Sequence, residues 1–504
     1  MRPMTRLSPT RLAAIGPALI VAWAGSQLLL LACLFANHLQ FPLDLEILEG
    51  GMVQHIMRLV THQPLYPAGS AEFVPFVYNP GYYLVAWPIV RLFGPALPPL
   101  RLFSMVVVVG CMVVLYLRVR ASTGSRWWGF VTVGLFAAAY PALDAHLDSA
   151  RGDGLMLFLC LFATWLLARA RSWRGDVVAM LLLVLAFWVK QHGALFAAGG
   201  LFWLTWRHGL RRAWPSWLVV MALGPALYFL GGRALFGDQF LYFTWQLPSG
   251  WSEFSVDAML RLTLYTARSF PLLFLASFGW LVSRIGQAEL KDDLWTVQLL
   301  AAGLSAVMGA LDRGSSDNVF IPFGTWLIVV AMPAIHAASR SEENRRQGAL
   351  TQLVLAGSFL LLLYDPRPVA VSREAGAAGR DFASFIDHLP GTVCAPSLGY
   401  LPGGRQLYPA INWVALDDMI RGPRRTAADS ARALALLEPI LHPAGEAWLL
   451  TDAPVEESQP VLRGLAATYV LDQDLGDRFK ALIRLPHRSV ARWPRYLYRY
   501  RGGP

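Results

Sequence analysis

Long apolar runs alternate with short polar segments up to about residue 365. The runs fall near 12–36, 101–118, 127–143, 153–170, 176–190, 193–206, 215–232, 264–283, 294–311, 318–335 and 349–364. A helix that crosses a bilayer needs about 20 mostly apolar residues. The pattern therefore predicts a mainly α, polytopic membrane protein of about eleven transmembrane helices. One further run, GYYLVAWPIVRLFG at 81–94, is short, broken by Pro88 and stopped by Arg91. It reads as an interfacial or re-entrant helix within a long first loop, 37–100. After residue 365 no run is long enough to span. GTVCAP, EAWLLTD and ATYVLD read as short strands, and TAADSARALALLEPILH reads as a helix capped by Thr426. Residues 1–365 are thus expected to form a transmembrane domain and 366–504 a small α/β domain.

Charge sets the orientation. Loops with Arg118/Arg120/Arg126, Arg169/Arg171/Arg174, Arg207/Arg211/Arg212 and Arg340/Arg345/Arg346 belong on the cytoplasmic side. This holds with a cytoplasmic N-terminus only if 81–94 does not cross. The α/β domain is then extracytoplasmic. Arg2, Arg6 and Arg11 precede an apolar run too long for a signal-peptide core, so the run reads as a retained first helix.

Composition agrees. The 504 residues are 55% hydrophobic and 15% charged, with 19 Trp, whereas soluble domains are about 45–50% apolar and about 25% charged. The net charge of +10 sits in loop Arg clusters that suit an anionic leaflet, and does not suggest nucleic acid. Four scattered Cys give neither a disulfide framework nor metal spacing. The tail RWPRYLYRYRGG reads either as a lipid-headgroup contact or as an exposed edge and frayed end.

Four polar segments share the outer face: LEILEGG, DAHLDSARGD, KQHG and LDRGSSDN. Asp44, Glu46 and Glu49 offer first-loop carboxylates. Glu49 opens an amphipathic helix and is either a general base or a dipole-favouring surface acid. Asp153 begins a span, where a charge is paired or functional. Arg151 either pairs with it or meets a phosphate. Lys190 either snorkels or binds phosphate. Gln191 and His192 adjoin it, and Asp312, Arg313 and Asn318 form a similar cluster.

Order and wording here resemble the GT-C glycosyltransferases, polytopic enzymes that use polyprenyl-phosphate sugars. The resemblance covers roughly residues 12–335. It rests on THQPLY, YNPGYYLVAWPIVRLFG, RLFS, SARGDGLMLFL, FWVKQHGAL and GSSDNVFIPF, in that order. The family's usual Asp-Glu pair reads Leu48-Glu49 here, so either Glu49 acts or Asp44 or Glu46 replaces the missing Asp. The resemblance implies sugar transfer from a polyprenyl-phosphate donor to an extracytoplasmic acceptor at a bacterial inner membrane. Glu49, Asp44, Glu46 and Asp153 become catalytic candidates, with Glu49 favoured as base. Arg151, Lys190, Gln191 and Arg313 become phosphate ligands. Tyr78, His55, Asp148, His192, Asp312 and Asn318 become substrate contacts. No cofactor is certain, and a divalent metal is left open. A membrane transporter or flippase is the alternative, since ionisable membrane residues also mark transport paths.

Overall fold

The computed structural model describes residues 9–502 except 47, 313–314, 341–344, 397, 402–412, 423–424, 458–459 and 484–492. The first half is a helical bundle. Helix α1 (Pro9–Leu39) leads to an irregular loop and the amphipathic α2 (Glu49–Val60). Then follow α3 (Gly81–Phe93), α4 (Leu97–Thr123), α5 (Arg126–Ala138), α6 (Gly152–Leu167), α7 (Trp173–Val189) and α8 (Gly193–His208). The stretch Leu210–Phe236, here α9, includes a π-helical segment at Ala222–Gly231 and is kinked at Gly224, whose backbone (φ −87°, ψ −106°) is not helical. Pro225 lies in that segment and cannot supply an amide hydrogen to the helix ladder.

Among the described residues, five helices are long and apolar enough to cross a membrane: Ile15–Leu39 of α1, α4, α9, Leu294–Leu311 and Asp317–Ser339. Helices α5 to α8 have 13 to 17 residues, or about 20–26 Å at 1.5 Å per residue. The run expected over 127–143 stops at Ala138 because residues 139–151 leave the helix to build a polar loop, and the run expected over 153–170 ends at Leu167.

The run expected at 264–283 is not one helix. It straddles a 102° bend between α10 (Val256–Ser269) and α11 (Pro271–Gly286). Pro271 opens the second helix, where its missing N–H costs nothing. Counting the pair as one bent span raises the total to six. Helix α3 is short, as its sequence suggests, and packs between α2, α4 and α7. Helices α12 (Leu294–Leu311), α13 (Ile321–Ser339) and α14 (Arg345–Leu361) complete the bundle.

The C-terminal part holds α15 (Arg373–Asp387), α16 (Trp413–Arg421), α17 (Ala427–Leu441) and a four-stranded sheet. Its strands are β1 (Thr392–Cys394), β2 (Ala447–Thr451), β3 (Tyr469–Asp474) and β4 (Tyr496–Tyr500), in the order β1-β2-β4-β3. The first pair is parallel and the others are antiparallel. Thr426 caps α17 in a reciprocal capping box with Asp429. The aromatic tail is neither a frayed end nor a sheet edge. Tyr496–Tyr500 is an inner strand, and Arg495 and Arg499 pair with Asp474 and Glu446.

The sheet domain docks on α2 through backbone. Gly399 donates its N–H to Asp44 at 3.1 Å, and its carbonyl accepts from Gln54 at 3.2 Å. A Cβ on Gly50 would lie 2.5 Å from the Gly399–Tyr400 backbone. Gly50→Val should therefore lower the melting temperature in detergent, by the ~1–3 kcal/mol typical of overpacking. It should also speed protease cleavage between α2 and the sheet domain. Gly25→Ala, with open space around it, is the control. Equal melting of the two variants would refute the docking role.

Candidate active site

The expected first-loop carboxylates separate into three different environments. Glu49 is 0% exposed and faces Arg101 in a two-point ion pair, Nη2–Oε2 2.6 Å and Nε–Oε1 3.0 Å. It also accepts the Leu45 and Ala150 N–H groups at 2.6 and 2.8 Å. Arg101 spends its remaining hydrogens on the carbonyls of His38, Phe41 and Leu43. Burial would raise the Glu49 pKa, but Arg101 and the backbone donors hold it below the ordinary value. The base expected at Glu49 is thus a committed counter-ion with no free lone pair for an acceptor proton.

Asp44 accepts from Gly399 on one oxygen, while the other has no partner and is buried. Burial, then the neighbouring Glu49 charge, push its pKa well above the usual carboxylate range. It belongs to the seam with the sheet domain.

Glu46 turns the other way. Its Oε1 lies 3.0 Å from Arg151 Nη1, and its Oε2 accepts the Leu48 N–H at 2.9 Å. It is 2% exposed. Burial raises its pKa, Arg151 and Leu48 oppose, and the balance is about 7. A carboxylate titrating there is matched to proton transfer at neutral pH.

Arg151 caps the start of α6 from an extended backbone, and its Nε lies 3.1 Å from Asp153 Oδ2. Lys190, at the end of α7, places Nζ 2.5 Å from Asp153 Oδ1. Asn318 donates to the same oxygen at 3.1 Å, and its backbone N–H donates to Asp144 at 3.1 Å. Asp153 therefore holds two cations and an amide side by side. Its Oδ1 takes both Lys190 and Asn318, while Oδ2 has only the ion-pair approach of Arg151. The Tyr78 hydroxyl bonds to Arg151. Tyr78, Asn79, Tyr82, Tyr83, Arg151 and Lys190 line a crevice of about 10 Å³, room for one water.

The other expected contacts each have partners of their own. His55 is a satisfied core residue. Nδ1 bonds the Gly51 carbonyl at 2.7 Å, Nε2 accepts the Phe76 N–H at 2.9 Å, and the ring stacks on Phe76 and Tyr83. Burial lowers its pKa to about 3. Asp148 is fully buried and fixed by His38 at 2.6 Å and Tyr140 at 2.5 Å. Gln191 donates to the carbonyls of Val77 and Thr244 rather than facing the cations. His192 meets Ser305 at 3.1 Å. Asp312 bonds Ser252 in a short β-bridge. Arg313 lies outside the described residues. Arg101 was missed as a structural centre, although a charge opening an apolar run is itself a signal.

Among the described residues, no three His, Cys, Asp or Glu are grouped to hold a metal. Glu46 and Asp153 are paired with Arg151 and Lys190.

A family model described as dolichyl-phosphate-mannose-protein mannosyltransferase matches residues 75–231, which carry Tyr78, Arg151, Asp153 and Lys190. ArnT from Cupriavidus metallidurans, bound to undecaprenyl phosphate, has a similar structure at 13% identity and TM-score 0.52, over 97% of this chain and 99% of that one. The Archaeoglobus fulgidus oligosaccharyltransferase in its apo form is similar at 10% identity and TM-score 0.53, over 90% and 71%. The archaeal oligosaccharyltransferase AglB from Archaeoglobus fulgidus, with an inhibitory peptide and a dolichol-phosphate, gives 10% and 0.51, over 88% and 71%. No curated protein matches the sequence. The structural likeness by itself shows the fold. The family match adds sequence similarity over residues 75–231 of the 504. The transporter alternative gains no support from these comparisons.

Removing Arg101 should damage folding. Arg101→Met leaves Glu49 charged, buried and alone, at a cost of about 3–5 kcal/mol. Thermal unfolding in detergent should fall sharply for Arg101→Met and for Glu49→Gln. Wild-type melting in both would restore Glu49 as a candidate for chemistry.

Proposed function

We propose that this chain is an integral-membrane glycosyltransferase that moves a sugar from a polyprenyl-phosphate donor to an extracytoplasmic acceptor. The observation that carries the reading is Arg151 and Lys190 held together on Asp153, with Glu46 beside them. Two desolvated cations side by side suit a phosphate, and Arg offers a planar fork to its oxygens. That ArnT is described with undecaprenyl phosphate, and AglB with dolichol-phosphate, supports the same ligand class.

In this mechanism an acceptor hydroxyl or amine attacks the anomeric carbon. Glu46 takes its proton. The carbon–oxygen bond to phosphate breaks, and the lipid phosphate leaves with the electron pair. Arg151 and Lys190 stabilise its growing charge, because preorganised cations in a dry site need no reorganisation. Asp153 and Asn318 position them. Tyr78 steadies Arg151 and faces the crevice. Residues 1–365 form the membrane domain, and 366–504 an extracytoplasmic domain. The N-terminus is cytoplasmic, in a bacterial inner membrane.

Purified protein in nanodiscs with a radiolabelled polyprenyl-phosphate sugar tests the reading, since a transporter or binding protein would leave the donor intact. Glu46→Gln should cut turnover by about 10²–10⁴-fold while donor binding persists. The base must be ionised, so wild-type kcat/KM should rise with pH through about 7 and fall as Glu46 becomes protonated. A flat profile over that range, or an active Glu46→Gln, would move the base elsewhere. For orientation, single cysteines at Ser122 and Gly250 in a chain freed of native thiols should label from inside and outside respectively. Outside labelling at Ser122 would invert the topology.

A further inference from the structure

A second polar region lies between the bundle and the sheet domain, apart from the crevice. Its larger cavity is about 410 Å³ and its smaller about 120 Å³. Tyr242, Gln246, Thr426 and Asp429 line both, so the two share a wall. The larger lies within the ~300–1,000 Å³ of small-ligand sites.

The lining has a distinct chemistry. Arg233, Arg432, Asp238 and Asp429 line the larger cavity, and Arg425 and Asp418 add to the smaller. Positive and negative groups are equal in number, so neither an anion nor a cation is favoured. Gln239 and Gln246 add amides that both donate and accept. Tyr242 and Trp251 add aromatic surface. Arg432 is already set over the Tyr242 ring at 5.5 Å and bonds Gln239 at 3.2 Å. Planar donors and acceptors beside aromatic rings, with no net charge, match a neutral polyol. Its adjacent hydroxyls each need a donor and an acceptor, and its C–H faces pack on rings.

The region is also coupled to the crevice. The π-helical turn Tyr242–Gln246 forms the partition. Its buried side carries Phe243 and Thr244. Thr244 bonds Tyr228, and its carbonyl accepts from Gln191, next to Lys190. Tyr228 in turn bonds Asn79, which lines the crevice. Tyr242 and Gln246, from the same turn, face the cavity. Hydrogen bonds through this turn therefore link the crevice lining to the wall of the polar cavity.

We propose that this cavity is a carbohydrate-binding subsite that holds the glycan part of the acceptor beside the donor phosphate site. The assignment of an acceptor rests on the glycosyltransferase reading; binding of a neutral glycan does not.

The test uses full-length protein in nanodiscs with fluorescein-labelled mannotriose, chitotriose and cellotriose, read by fluorescence polarisation. At least one should bind saturably at millimolar concentration or below. Gln246→Ala and Arg432→Ala should each weaken it by about tenfold, the loss expected for a charge-assisted or paired hydrogen bond. Undecaprenyl phosphate binding and melting temperature should stay at wild-type values. Failure of all three trisaccharides, equal binding by the variants, or displacement by inorganic phosphate at comparable concentration would overturn the subsite. Glycan binding without donor turnover would leave the subsite standing and remove the transferase. Donor turnover without glycan binding would do the reverse.

Discussion

Arg101 and Glu49 set the geometry on which the candidate site depends. Five N–H groups of one guanidinium reach one carboxylate and three carbonyls of the first loop. Glu49 then reaches across to the Ala150 N–H, immediately before Arg151. One buried pair thus ties α1, the first loop, α2, α4 and the loop ahead of α6. Taking two charges out of water is expensive, and only near-complete hydrogen bonding offsets it. Here both partners are close to complete, so the pair specifies the loop's path.

That path decides which neighbours each first-loop carboxylate meets. With Glu49 turned toward Arg101, Glu46 turns toward Arg151 and Asp44 toward Gly399. The three lie within six residues, yet they meet an arginine in a hydrogen-bonded knot, an arginine at a crevice, and a glycine backbone. Environment, and not residue type, separates their proton affinities. Asp153 plays the complementary part for the cations. Arg151 and Lys190 would repel one another without it. Held by it, they present adjacent positive charge in fixed positions.

The contact between bundle and sheet domain follows a similar economy of space. Gly50 and Gly399 let two backbones meet where any side chain would intervene. Asp44 and Gln54 then satisfy the exposed peptide groups. The same docking brings Thr426, Asp429 and Arg432 opposite the Tyr242–Gln246 turn. A cavity of mixed charge remains where neither part supplies enough apolar surface to close it.

The sequence by itself determined the helical bundle, the composition change after the last apolar run, the strands around Val393, Leu449 and Val470, and the Thr426 cap. These follow from local rules: apolar run length, alternation and capping chemistry. It also placed LEILEGG, DAHLDSARGD, KQHG and LDRGSSDN on one face, and Glu46, Arg151, Asp153, Lys190 and Asn318 of those segments do meet. Only the tertiary structure decided that 264–283 breaks at Pro271 and that the aromatic tail is an inner strand. Both depend on neighbours distant in the chain. It alone decided that Glu49 belongs to Arg101, His55 to the core, and Asp148 to His38. Spacing in sequence places a charge near the membrane surface. Which buried partner takes up its lone pairs is fixed by packing across 50 to 110 residues of chain, and no local pattern records it.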